Sequence, residues 1–153
     1  MDDLIKFIVE AKKSSYAAQG DTQSVTPLLP GTKQLEYRQG DFFYRDIYAG
    51  MLNFVGQEIV YLKEKPIWSM SYTGGLLLNM DKLQIMSIYS FLREAMNLVS
   101  PKHPFRGPEK YSNADYCYAN SAKGKIDKFN GREAISKNGH ELYELFYAGG
   151  MVI

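Results

Sequence analysis

A chain of 153 residues, 45% apolar and 23% charged, has the size and make-up of one ordinary globular domain. Its 18 basic residues nearly cancel its 17 acidic ones, and a net charge of +1 argues against a nucleic-acid surface or a membrane clamp built on positive charge. The single cysteine rules out an internal disulfide and a Cys-rich zinc site, and Asp2, Asp3, Lys6 and Glu10 interrupt the apolar start too often for a signal core or a membrane span.

Residues 2–16 read as a helix. Asp2 or Asp3 can cap it, Leu4, Ile5, Ile8, Val9 and Ala11 form its apolar face, and Lys12 and Lys13 suit its C-terminal dipole. Residues 17–34 are polar and broken by Pro27, Pro30 and Gly31, which predicts a long loop, either a lid or a segment without function. Short β-rich runs follow at Leu35–Arg38, Phe42–Tyr48, Asn53–Tyr61 and Ile67–Thr73. Their links are only a few residues long, which forces antiparallel neighbours, so 35–73 should be a meander.

Residues 81–99 give a second helix, capped by Asp81 and ended by Pro101 and Pro104. Its apolar positions spread widely enough to predict heavy burial. A rigid segment, Pro104–Glu109, leads back to strands. Tyr111–Asn120 reads as one run, Ala122–Gly124 as a turn, Lys125–Asn130 and Arg132–Ser136 as runs either side of Gly131, and Asn138-Gly139 as a hairpin before Glu141–Tyr147. Helix, meander, helix, meander is an α+β pattern. It predicts a single domain with a curved antiparallel sheet of about six or seven strands and two helices on one face.

Aromatic residues reach 14%, and the 12 tyrosines outnumber the 8 phenylalanines. Each buried phenol must bring its hydroxyl to a partner or to water. Tyrosine therefore suits a half-wet sheet face or a pocket lining, and equally suits strands in general. Tyr48-Ala49-Gly50, Tyr72-Thr73-Gly74-Gly75 and Tyr147-Ala148-Gly149-Gly150 repeat one small pattern. Either glycine serves strand bends there, or tyrosines line a rim that glycine keeps open.

The sequence carries no phosphate-cradling loop, no dinucleotide fingerprint and no nucleophile elbow, so no cofactor is indicated. His103 and His140 have no metal-ligand spacing, and Cys117 beside Asp115 reads as an inert buried thiol. The polar residues that stand out are Arg45, Asp46, Gln57 and Glu58, set between aromatics in the first meander, with Arg106 and Glu109 in the later rigid segment. Adjacent strand residues face opposite ways, so only one of each neighbouring pair can share a face with Tyr44, Tyr48 or Trp68. A carboxylate among rings would have a raised pKa and suit proton transfer; the same residues would equally serve as a structural ion-pair tie.

Several blocks together resemble a bacterial domain of unknown function. They are Glu36-Tyr37-Arg38 with Gly40-Asp41, then 44–50, 53–61 and 66–74, Pro104-Phe105-Arg106-Gly107-Pro108 and the terminal Tyr147-Ala148-Gly149-Gly150. That resemblance covers nearly the whole chain. It implies a domain that occurs alone or C-terminal to XRE-type helix-turn-helix DNA-binding domains, with no activity or catalytic residues to carry over. Here the first helix leads directly into the sheet, which leaves no room for the DNA-binding part and suggests a free-standing sensor.

The expected function is thus a small-molecule or peptide-binding module in the cytoplasm. Arg45, Asp46, Glu58, Trp68, Tyr72 and Arg106 are its candidate ligand-binding residues, with no metal, nucleic-acid or membrane partner. The alternatives are an enzyme with Glu58 or Asp46 as general base, and an interaction module that forms a homodimer.

Overall fold

The computed structural model describes residues 1–19 and 25–152. Two helices, α1 (Asp2–Ser14) and the short α2 (Tyr16–Gln19), precede four strands, β1 (Lys33–Gln39), β2 (Phe42–Gly50), β3 (Asn53–Leu62) and β4 (Lys65–Leu76). Helix α3 (Lys82–Met96) then precedes β5 (Lys110–Asn113), β6 (Tyr116–Lys125), β7 (Lys128–Lys137) and β8 (His140–Met151). All eight strands form one antiparallel sheet in the order β1-β2-β3-β4-β8-β7-β6-β5. The α+β class holds, with eight strands rather than six or seven. The extra strand comes from residues 111–120, which a turn at Ala114 (φ 51°) folds into a hairpin without a Gly or Pro signal. The turn expected at 122–124 lies instead inside β6, and the runs either side of Gly131 form the single strand β7. Part of the proposed lid, residues 20–24, falls outside the described residues.

The order reveals two halves, each a helix followed by a four-strand meander, joined where β4 pairs with β8. At this seam Tyr72 stands opposite Tyr147. The inward-facing positions match from half to half. Tyr44, Asp46, Gly56, Glu58 and Tyr72 occupy the places that Tyr118, Asn120, Gly131, Glu133 and Tyr147 occupy in the other half, as their pairings show. In each half the seam tyrosine lies flat across a neighbouring glycine and reaches a polar side chain one strand further on. Tyr72 donates to Asp46 at 2.7 Å and Tyr147 donates to Asn120 at 2.8 Å. A Cβ on Gly56 or Gly131 would lie 2.4 Å or 2.3 Å from the tyrosine ring, so only glycine leaves space for the crossing. The recurring Tyr-x-Gly pattern marks this seam in two of its three occurrences.

Both main helices lie on the same sheet face. Phe7 of α1 stacks on Phe42 with ring centroids 4.9 Å apart, and Phe91 of α3 stacks on Tyr111 at 5.5 Å. Asp81 caps α3 in a reciprocal capping box with Gln84. The helix is less buried than its composition predicts. Ile88, Phe91, Leu92, Ala95 and Met96 face the core, whereas Leu83 and Met86 are exposed, because a helix laid over one sheet buries a single stripe, and the helix ends at Met96, short of the expected 99. No helix among the described residues is long and apolar enough to cross a membrane.

Substituting Gly131→Ala should destabilise the fold by about 1–3 kcal/mol, as overpacking does. Urea unfolding checks this. The loss should shrink when Tyr147→Ala is combined with it, since the ring that meets the new methyl is then gone.

Candidate functional site

Five charged side chains are buried among the described residues: Lys12, Asp46, Glu58, Arg106 and Glu133. They lie under the helices on the inner face of the sheet. In the second half, Glu133 is wholly inaccessible and, among the described residues, accepts four hydrogen bonds. Two come from the Arg106 guanidinium, at 3.1 and 2.6 Å, and the others come from the hydroxyls of Tyr118 and Tyr143, at 2.6 and 2.9 Å. Pro104–Gly107 delivers this arginine and fills the space above β6 and β7. Phe105 stacks on Phe129 at 3.7 Å, Tyr118 donates from its hydroxyl toward Glu133 while accepting from the Gly107 amide, and Asn120 donates to the Gly107 carbonyl. The carboxylate is thus balanced and enclosed. Burial opposes the charge on Arg106, but Glu133 outweighs it and holds the guanidinium well above its ordinary pKa.

Among the described residues, the first half repeats the carboxylate and lacks the plug. Lys12 on α1 pairs with Glu58, and the Tyr44 hydroxyl faces the same carboxylate. In the described part of the segment before β1, Leu28 and Leu29 are exposed. A cavity of about 280 Å³ remains between β2, β3 and β4 below and α2 and α3 above. Its floor holds Lys12, Asp46, Glu58, Tyr72 and Arg106, and its roof is Ile85, Met86, Tyr89, Leu92 and Met96 of α3. Tyr16, Tyr44, Tyr48 and Phe54 complete an aromatic wall. Met51 and Met86 line the cavity yet remain about half exposed (54% and 57%), so its mouth is apolar.

Asp46 departs from the other half, where Asn120 stands in its place. It lies directly opposite Glu58 in the strand register. Burial and the neighbouring Glu58 charge push its carboxyl up to about 7, against the pull of the Tyr72 hydroxyl, Lys12 and Arg106. Burial also lowers Lys12, which Glu58 partly offsets. Tyr72 is raised well above its usual value by burial and by the adjacent Asp46. A carboxyl that changes charge near neutrality, beside a hydroxyl and a cation in a cavity, can take up or give a proton, or hold a polar ligand.

Of the residues singled out in the sequence, Asp46, Glu58, Tyr72 and Arg106 come together on this floor. Arg45 does not. It projects from the opposite face, paired with Glu36 at 3.0 Å and resting on the Phe43 ring, because adjacent strand residues alternate. Trp68 does not either. It is fully buried, stacked on Phe129 at 5.7 Å, and its Nε1 has no hydrogen-bond partner among the described residues. Glu109 is exposed, and so is Cys117, contrary to the buried thiol expected. No group of three or more His, Cys, Asp or Glu among the described residues could hold a metal ion. Sequence reasoning missed Lys12, read only as a helix-end charge. Its spacing from Ile5 and Ile8 puts it on the apolar stripe, which was the available signal.

The fold and site define a doubled helix-and-meander domain with one half sealed and the other hollow. By its sequence the chain belongs to the family described as Domain of unknown function (DUF5680), whose model matches residues 46–152. The match spans Asp46, Glu58, Tyr72, Arg106 and Glu133, and begins after α1 with its Lys12. No curated protein and no solved structure matches the chain.

Two outcomes follow for stability. Glu133→Gln should cost about 3–5 kcal/mol in urea unfolding, since Arg106 would be left buried without its counter-charge. Asp46 should act in the opposite sense. Its folded pKa lies above the ordinary 3.8, so the folded chain keeps a proton that the unfolded chain releases. Its contribution is full below about 4 and is lost as pH rises through about 7. The stability difference between Asp46→Asn and the native protein, followed by urea unfolding from pH 4 to 8, should therefore move in favour of the variant as pH rises.

Proposed function

We propose that the protein is a small-molecule-binding module of the sensor type, with its site in the hollow first half. The observation that carries this reading is the contrast between the halves. Among the described residues the same inner-face framework is filled by Phe105, Arg106 and Gly107 over β6 and β7, and left open over β2 and β3. A core that is merely rich in tyrosine would close both. The volume, about 280 Å³, is near the lower end for ligand pockets and suits a metabolite rather than a folded peptide. Apolar walls around a few convergent polar groups are the usual composition of such sites. The resemblance to domains that accompany helix-turn-helix regulators favours sensing.

A second reading, an enzyme, is favoured by the Asp46 carboxyl, held near 7 beside the Tyr72 hydroxyl. Conversion of a bound molecule that is lost in Asp46→Asn while binding persists would select it over simple binding.

Ile85→Trp places an indole across the cavity wall and is the direct test. Ligand-observed NMR with a library of small metabolites should give binders to the native protein, and their signals should vanish with the variant. Absence of binders, or binders indifferent to the substitution, would overturn the cavity as a binding site.

A further inference from the structure

Resting on that reading, we infer that the cavity takes an organic ammonium ion, with its charged head at Asp46 and its apolar body against α3. The argument begins with charge. Among the described residues the buried charged groups are two cations, Lys12 and Arg106, and three acids, Asp46, Glu58 and Glu133. Arg106 is spent on Glu133 by a two-point contact, and Lys12 is spent on Glu58. Asp46 is the acid left over. Among the described residues it receives one hydrogen bond, from Tyr72, where its counterpart position carries a neutral Asn120. A buried acid whose neighbouring cations are engaged by other carboxylates is costly to ionise, and a ligand that brings a positive charge removes that cost.

The walls fit the same ligand. Tyr16, Tyr44, Tyr48, Phe54, Tyr72 and Tyr89 all line the cavity. Aromatic faces attract cations through their quadrupoles, most strongly where water is excluded, and tolerate both protonated and methylated ammonium heads. The roof above them is mainly apolar, formed by Ile85, Met86, Leu92 and Met96 with Tyr89 and Arg93 as its polar members, and suits an apolar body. The exposed methionines Met51 and Met86 at the mouth give an apolar tail a way in.

An anion would meet the reverse. It would compete with Glu133 and Glu58 for cations already engaged, and it would sit beside Asp46. Arg93 of α3 also lines the cavity, but it is only half-buried and lies outside the core of five.

The groups that face Asp46 are Lys12 from α1, Tyr44 on its own strand, Glu58 from β3, Tyr72 from β4 and Arg106 from the segment after α3. Asp46 changes charge across the neutral range, so cation binding should be tighter above pH 7 than below it.

The test compares four probes of one chain length by isothermal titration calorimetry: hexylammonium, hexyltrimethylammonium, 1-hexanol and hexanoate. At pH 8 at least one of the two cations should bind about tenfold or more tightly than the alcohol or the carboxylate, the range expected when a hydrogen-bonded or paired charge is gained. That preference should fall about tenfold in the native protein at pH 5.5, and equally in Asp46→Asn at pH 8. The variant has a precedent in its own fold, since Asn120 fills the matching position; the pH arm uses the native chain and stands even if the variant does not fold. Both cations should be lost with Ile85→Trp.

If hexanol or hexanoate binds as tightly as the cations and is lost with Ile85→Trp, the ammonium assignment falls while the cavity remains a binding site. Cations that bind Ile85→Trp unchanged are on the surface, and that result overturns the assignment. Failure of all four probes to bind does the same; if metabolites sensitive to Ile85→Trp are still found, the cavity survives it.

Discussion

Everything in this molecule is arranged around carboxylates that the sheet carries inward. Glu58 and Glu133 occupy matching places on β3 and β7, under the helices, where both are buried. A buried carboxylate stays charged only when a cation and hydrogen-bond donors meet it. The covering layer is therefore not free to choose its contacts. Helix α1 must bring Lys12 over Glu58, and the segment after α3 must bring Arg106 over Glu133. The apolar contacts of α1 and α3 with the sheet hold the layers together, while these two ion pairs specify where each element sits.

Once both pairs are made, the two halves differ by what surrounds them. In the second half Arg106 arrives on a rigid, proline-flanked turn that also carries Phe105 and Gly107, and the three fill the space above the sheet. In the first half the cation arrives on a helix. Lysine reaches Glu58 from α1 as a flexible stem, and among the described residues no turn follows it into the space beyond. The hollow is the geometric consequence of serving one carboxylate from a helix and the other from a turn.

The seam depends on a smaller feature. Tyr72 and Tyr147 cross their neighbouring strands only because Gly56 and Gly131 have no side chain. Each crossing carries a phenol hydroxyl to a partner that differs between halves, Asp46 in one and Asn120 in the other. That single exchange of amide for carboxyl adds a titratable group to the hollow half alone. Burial and Glu58 then set its proton affinity near neutrality. Structural asymmetry and chemical asymmetry coincide at the same place.

Local pattern was sufficient for much of this. The Asp81 cap, the period-two strands and the short links define α3 and the antiparallel meanders, because capping, alternation and turn length act over a few residues. Alternation also required Arg45 and Asp46 to part, so one of the two had to leave the site. What lay beyond the sequence depends on contacts between distant segments. The choice of Asp46 over Arg45, the displacement of Trp68 into a stack with Phe129, the recruitment of Lys12 and the closing of β8 onto β4 were each decided by tertiary packing. Sequence spacing states which side chains share a face; only the folded layers decide which face is covered, by what, and where a space is left.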